Sequence, residues 1–106
     1  MKLKEYKLPK ESFIGGWFIP SSICDKLISY YNKSNNVVVG TNASRIVNKK
    51  VKDSLDLVIY KNNQDTEITE YLKHLQTVLN LYIKKYPELN TNQRFEFYRA
   101  NIQKYP

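Results

Sequence analysis

The stretch that decides the fold is 66–86, which reads TEITEYLKHLQTVLNLYIKKY. Its apolar side chains recur every three or four residues over five turns, the spacing of one face of an α-helix. These side chains are Ile68, Tyr71, Leu72, Leu75, Val78, Leu79, Tyr82, Ile83 and Tyr86. Glu67 near the start and Lys85 near the end suit the helix dipole, and Pro87 cannot continue the helix. The sequence therefore predicts a long amphipathic helix that is capped by Thr66 and ends before Pro87.

Shorter segments around this helix predict a second helix and several strands. Ser22 and Asp25 have the spacing of a capping box, and apolar residues at helical spacing follow them as far as Asn32. Alternating or β-branched segments predict strands at 3–8, 37–39, 55–60 and 94–105, with a change of apolar parity near Arg99 that indicates a bulge or two strands. The polar segment 41–53 has no period and is predicted to be a loop. Together these elements predict an α+β fold.

Large apolar residues flank a glycine pair in the segment FIGGWFI, 13–19. Because glycine adopts backbone angles that other residues resist, we predict a bent, buried segment with Trp17 as a core anchor. Cys24 falls on the apolar side of the predicted first helix, which indicates a small core residue and not a nucleophile.

The 106 residues correspond to one domain of ordinary size, and seventeen basic against ten acidic side chains give a net charge of +7. The tightest basic group consists of Arg45, Lys49, Lys50 and Lys52. Only three of the seventeen cations are Arg, the residue that usually forks onto phosphates and bases. We therefore interpret this group as a solvated loop face, and nucleic-acid binding stays a weaker alternative.

The composition excludes several kinds of functional site. One Cys excludes an internal disulfide framework, and one His excludes any site in this chain that needs two histidines. His74 lies beside the stripe of the long helix, which favours boundary packing over metal binding. Asp53 and Asp56 are interpreted as surface carboxylates at the start of a strand. No signal peptide and no 18-residue apolar run is found, so a cytoplasmic location without membrane contact is expected.

Several stretches occur in an order that is familiar as a set. The segment 13–19 leads into the helix ICDKLI at 23–28, and KDSLDL follows at 52–57. The long Tyr- and Leu-rich helix then ends in KYP at 85–87, and the chain closes with NIQKYP at 101–106. This order resembles the N-terminal half of prolyl-4-hydroxylase-like iron(II)- and 2-oxoglutarate-dependent oxygenases, especially the small versions of marine phages and bacteria.

The resemblance implies helices packed on the first strands of an incomplete double-stranded β-helix, or jelly roll. It implies that the chain is either a single domain or the N-terminal part of one oxygenase domain, with the iron ligands beyond residue 106. Tyr105 would then donate a hydrogen bond to the 2-oxoglutarate carboxylate, and Gln103 would face the same cavity. The intact parent would use Fe(II), O2 and 2-oxoglutarate to hydroxylate a protein or a small molecule, whereas residues 1–106 alone would bind neither cofactor. A phage-encoded parent would act in the host cytoplasm.

One alternative from a different class of function is a non-catalytic interaction or virion-assembly module. Its basis is the free strand at 94–105, which could pair with a partner by strand addition.

Overall fold

The computed structural model describes residues 2–42, 44–90 and 98–106. The strands are β1 (Lys4–Tyr6), β2 (Gly16–Phe18), β3 (Val38–Val39), β4 (Leu55–Tyr60) and β5 (Arg99–Lys104). The helices are α1 (Ser21–Lys33) and α2 (Thr66–Lys85), and short 3-10 turns occupy Lys10–Ser12 and Pro87–Leu89. The predicted α+β class is confirmed. Of the predicted strand at 94–105, the part 94–97 lies outside the described residues.

β4 lies at the centre of a three-stranded antiparallel sheet, with β3 on one side and β5 on the other. Asp56 pairs with Val38 of β3 and with Gln103 of β5, while Leu57 pairs with Ile102. β3 pairs with only the first two residues of β4, whereas β5 pairs along its whole length. A second sheet, antiparallel, consists of β1 and β2 alone. The jelly roll that the resemblance implies would need strands besides these two small sheets.

The core forms where the two helices cover one face of the three-stranded sheet. Its buried residues are Tyr31 from α1, Leu57 and Ile59 from β4, and Ile68 from α2. Leu57 and Ile59 are two residues apart and therefore share the helix-facing side of the sheet. The Tyr31 hydroxyl donates a hydrogen bond to the Leu55 carbonyl at 3.0 Å, which fixes α1 to the start of β4.

The β1–β2 hairpin and the turn between its strands are bound to the C-terminal end of α2. Tyr82 Oη donates to the Phe13 carbonyl at 2.5 Å, and Tyr86 Oη donates to the Lys10 carbonyl at 2.9 Å. Lys85 Nζ also lies 3.0 Å from the Glu5 carboxylate. These contacts explain why the tyrosines on this part of the helix stripe serve as anchors as well as packing groups.

The prediction of a buried, glycine-bent segment at 13–19 is wrong. Phe13 is 67% exposed and Trp17 is only half-buried, because the hairpin packs against one helix end and not under the main sheet. Phe13 itself adopts the left-handed backbone (φ 56°), which neither glycine does. Gly15 is required because there is no room for a side chain. A Cβ at this position would lie 2.7 Å from the Trp17 ring and 2.9 Å from the Tyr82 ring.

Three predictions about the helices are also corrected. α1 begins directly after Pro20 with no side-chain cap, so the Ser22 capping box does not form. α2 is preceded by Asp65, not Thr66, in the capping position. Cys24 is exposed, because α1 buries the face that carries Ile23 and Tyr31 and turns Cys24 to solvent.

Candidate functional site

The candidate site is the face of the three-stranded sheet opposite the helices. Side chains alternate between the two faces of a strand, so Asp56 and Val58 of β4 point away from the core that Leu57 and Ile59 enter. The register places Asn101 and Gln103 of β5 beside them on this same face. We call it the open face.

An Asp56 carboxylate with three partners lies at the centre of this face. Asp56 is 5% exposed. The Ser54 hydroxyl donates to Oδ1 at 2.7 Å, while Lys52 Nζ at 3.2 Å and Gln103 Nε2 at 3.3 Å donate to Oδ2. The interpretation of Asp56 as a surface carboxylate is therefore wrong, because the side chain is enclosed by its own strand, the preceding loop and β5.

The hydrogen bonds decide the charge of Asp56. Burial by itself raises the pKa of this carboxyl group, because it disfavours the ionised form. The bonds from Ser54, Lys52 and Gln103, together with the charge of Lys52, outweigh burial and hold the pKa of Asp56 below its ordinary value. Asp56 is therefore a carboxylate at neutral pH, with its charge balanced by Lys52.

Gly40 makes room for this arrangement. Its backbone N–H donates to the Ser54 carbonyl at 2.8 Å, next to β3. A Cβ at this position would overlap the Ser54 hydroxyl oxygen and lie 3.2 Å from both Asp56 carboxylate oxygens. Glycine is therefore required here by close approach, and not by its backbone angles.

The two residues that the resemblance singled out lie next to each other on the open face. Tyr105 directly follows β5, and its hydroxyl donates to Gln103 Oε1 at 3.2 Å. Gln103 in turn donates to Asp56, so hydrogen bonds run from a half-exposed phenol to a buried charge. Because the Gln103 amide donates to Asp56 through Nε2, its Oε1 is available to accept the hydrogen bond from Tyr105.

Sequence reasoning missed Lys52, Ser54 and Asp56 as members of the site. Their spacing contained the signal, since residues two apart in an extended segment share one face. Lys52 belongs by sequence to the basic group with Arg45, Lys49 and Lys50, but its ammonium group is directed to Asp56. The other three members are exposed, and their binding to nucleic acid stays a prediction.

His74 takes no part in this site. It is half-buried on α2, and its Nδ1 lies 2.9 Å from the Glu70 carbonyl one turn earlier. This position agrees with the predicted boundary packing.

The donor set of the open face was compared with the two cofactors that the resemblance implies. Tyr105 and Gln103 offer neutral hydrogen-bond donors that fit carboxylate oxygens. Within 2–42, 44–90 and 98–106, no group of three or more His, Cys, Asp or Glu side chains could hold a metal ion. No helix in the same ranges is both long enough and apolar enough to span a bilayer.

Known protein families, curated proteins and solved structures were compared with the chain, and none of them matches.

Proposed function

We propose that this chain is the N-terminal part of an iron(II)- and 2-oxoglutarate-dependent oxygenase that hydroxylates a protein or a small molecule. The observation that carries the proposal is the Tyr105–Gln103–Asp56 hydrogen-bonded series on the open face. In this proposal the iron ligands lie beyond residue 106. Iron and 2-oxoglutarate, when bound, would supply the oxygen activation that hydroxylation needs.

Tyr105 is the residue proposed to touch 2-oxoglutarate. The Tyr105 side chain is half-exposed, and its partner among the described residues is the neutral Gln103 Oε1, so the hydroxyl can exchange that bond for one to a ligand carboxylate. Gln103 acts as a positioning residue, because Asp56 fixes its amide by accepting from Nε2. The negative charge of Asp56 would repel a carboxylate ligand, but Lys52 and Ser54 donate to the Asp56 carboxylate and offset that charge.

The proposed place of this sheet is the wall of a jelly-roll cavity. The helices α1 and α2 cover one face, which would be the outside, while polar side chains at 101 and 103 occupy the face that would line the interior. A cavity wall needs this division, since its outer side is packed and its inner side carries donors for the ligand.

The experiment that tests the proposal uses the polypeptide encoded by the complete reading frame. We expect Tyr105→Phe to raise the KM for 2-oxoglutarate about tenfold or more, because a hydrogen bond to a charged group contributes roughly 1.5–3 kcal/mol. Tyr98→Phe is the matched control, since the Tyr98 side chain is 85% exposed. Equal KM values for the two variants would contradict the role of Tyr105.

A second candidate function is assembly with a partner through β5. No strand in the described ranges pairs with the outer edge of β5, and a cavity of about 300 Å³ beside it is lined by apolar residues of both helices, including Leu27, Ile68 and Leu72. A strand added at this edge would cover both the unpaired edge of β5 and the apolar cavity beside it. Sedimentation velocity over a hundredfold concentration range tests self-assembly: a growing sedimentation coefficient supports it, and a constant monomer value opposes it.

A further inference from the structure

The other edge of the sheet carries a gap that the proposed function does not use. β3 begins at Val38, opposite Asp56, but β4 continues past this point to Tyr60. Before β3 the chain turns away toward α1, and the Asn36 N–H donates to Ser34 Oγ at 3.1 Å in that turn. Among the described residues, no strand therefore lies beside Val58 and Tyr60 on this side.

The backbone groups that face the gap follow from the register. The Gly40 N–H donates to the Ser54 carbonyl, so the even-numbered residues of β4 direct their backbone groups to the β3 side. The Lys61 N–H donates to the Tyr98 carbonyl, which agrees with odd-numbered residues facing β5. The Tyr60 carbonyl accepts from the Asn63 N–H at 3.0 Å. This leaves the Val58 N–H, the Val58 carbonyl and the Tyr60 N–H directed into the gap.

A cavity of about 430 Å³ adjoins these groups. This volume lies within the range of roughly 300–1,000 Å³ that is usual for ligand sites. The polar side chains that line it in the described part of the chain are uncharged: Tyr30, Ser34, Asn36, Tyr60, Asn62 and Asn63. Among the described residues, no lysine, arginine, aspartate or glutamate lines it, although the chain as a whole is one quarter charged.

Hydrogen bonds hold one wall of the cavity in place. Asn63 Nδ2 donates to the Tyr30 hydroxyl at 3.1 Å, and that hydroxyl donates to Asp65 Oδ2 at 2.5 Å. The Asp65 N–H donates back to Asn63 Oδ1 at 2.9 Å. These three bonds form a closed ring between α1 and the turn after β4, so this wall is formed before a ligand arrives.

We propose that this gap binds an extended, uncharged peptide segment of a partner protein, which adds as a strand beside residues 58–60. The alternation of N–H, carbonyl and N–H along one strand edge is the pattern that a second peptide backbone complements. Neutral amide and hydroxyl side chains can hydrogen-bond polar side chains of the segment, whereas none of the described lining residues is itself a counter-ion for a charged side chain. The proposal stands independently of the oxygenase function.

The test is an NMR titration of the ¹⁵N-labelled full chain. The probe is a pool of capped hexapeptides built from Ser, Thr, Asn, Gln, Val and Tyr, and the control pool is N-methylated at every residue, so that neither edge of the peptide can donate a backbone hydrogen bond. We expect the amide signals of Val58 and Tyr60 to shift and their hydrogen exchange to slow at least tenfold. The Gly40 amide, which is already bonded, should not change, and the N-methylated pool should not bind.

A pair of variants tests the location. Asn36→Arg introduces a charge into the cavity and should abolish binding, whereas Asn35→Arg should retain it, because Asn35 lines only the neighbouring cleft. If Asn36→Arg does not fold, Asn62→Arg replaces it.

Four results would each overturn the proposal. They are unchanged Val58 and Tyr60 signals, equal binding of the N-methylated pool, equal loss of binding in the two variants, and shifts that grow with protein concentration without peptide. The second would indicate a side-chain pocket for small molecules, and the last would indicate self-association.

Discussion

Gln103 Nε2 donates a hydrogen bond to Asp56 Oδ2 at 3.3 Å, across the pair of strands β4 and β5. This bond joins a residue near the end of the chain to a carboxylate buried near its middle. The bond couples the stability of the sheet to the position of side chains on the open face, because Asp56 also accepts hydrogen bonds from Lys52 and Ser54. Changes at Asp56 should therefore affect both folding and the position of Gln103.

Asp56→Asn should lower the free energy of unfolding by about 2 kcal/mol at pH 7, because hydrogen bonds to a charged group are lost. The pKa of Asp56 is lowered in the folded chain, so its contribution is complete at neutral pH. It is lost as the pH falls below about 4 and passes through the folded pKa. Urea unfolding at pH 7 and pH 3 should show the difference between wild type and variant shrinking in acid.

Asp53→Asn is the control for this measurement, since Asp53 is exposed and lies three residues away. Its effect should stay within about 0.5 kcal/mol at neutral pH. An Asp56→Asn effect that is equal at both pH values would contradict the ionic role of Asp56.

Gly40→Ala should destabilise the chain by roughly 1–3 kcal/mol, the usual cost of overpacking a close contact. The new methyl group would overlap the Ser54 hydroxyl and press on the Asp56 carboxylate. Gly16→Ala is the matched control, because its nearest neighbour would lie at 3.4 Å, an ordinary contact distance. Thermal unfolding compares the two, and a Gly40→Ala variant as stable as Gly16→Ala would be inconsistent with the packing described.

Tyr31→Phe should cost about 1 kcal/mol, the net contribution of one hydrogen bond, because the Leu55 carbonyl loses its partner. Tyr60→Phe should change stability far less, since Tyr60 is 58% exposed. Urea midpoints of the two variants measure the difference. Equal midpoints would show that the bond between α1 and β4 contributes nothing to folding.

The Tyr30 hydroxyl gives a prediction at high pH. Its hydrogen bond to Asp65 raises the pKa of Tyr30 above its ordinary value, with a smaller opposite effect from Asn63. A raised folded pKa means that this contribution is complete below the unfolded pKa and is lost as the pH rises through the folded value. The stability difference between wild type and Tyr30→Phe should therefore be constant from pH 6 to 9 and shrink above about pH 10. A difference that persists unchanged at pH 11 would contradict it.

The regular elements with a clear period could be predicted from the sequence. The apolar stripe at 68–86 predicted α2, and the alternation at 55–60 predicted β4 with its bounds. Both patterns are clear because each element buries one face. The burial of Trp17 and Cys24 could not be predicted, since it depends on which face of each element meets the sheet. Asp56 was missed for a related reason: a carboxylate suggests solvent unless its partners, here on a loop and another strand, are known.

The most direct test of the central claim is 2-oxoglutarate turnover by the polypeptide of the complete reading frame. The account predicts succinate release that requires added Fe(II) and O2, and a His-x-Asp sequence about ten residues beyond Tyr105. A purified polypeptide that releases no succinate under these conditions, or a reading frame that supplies no histidine after residue 106, would contradict it.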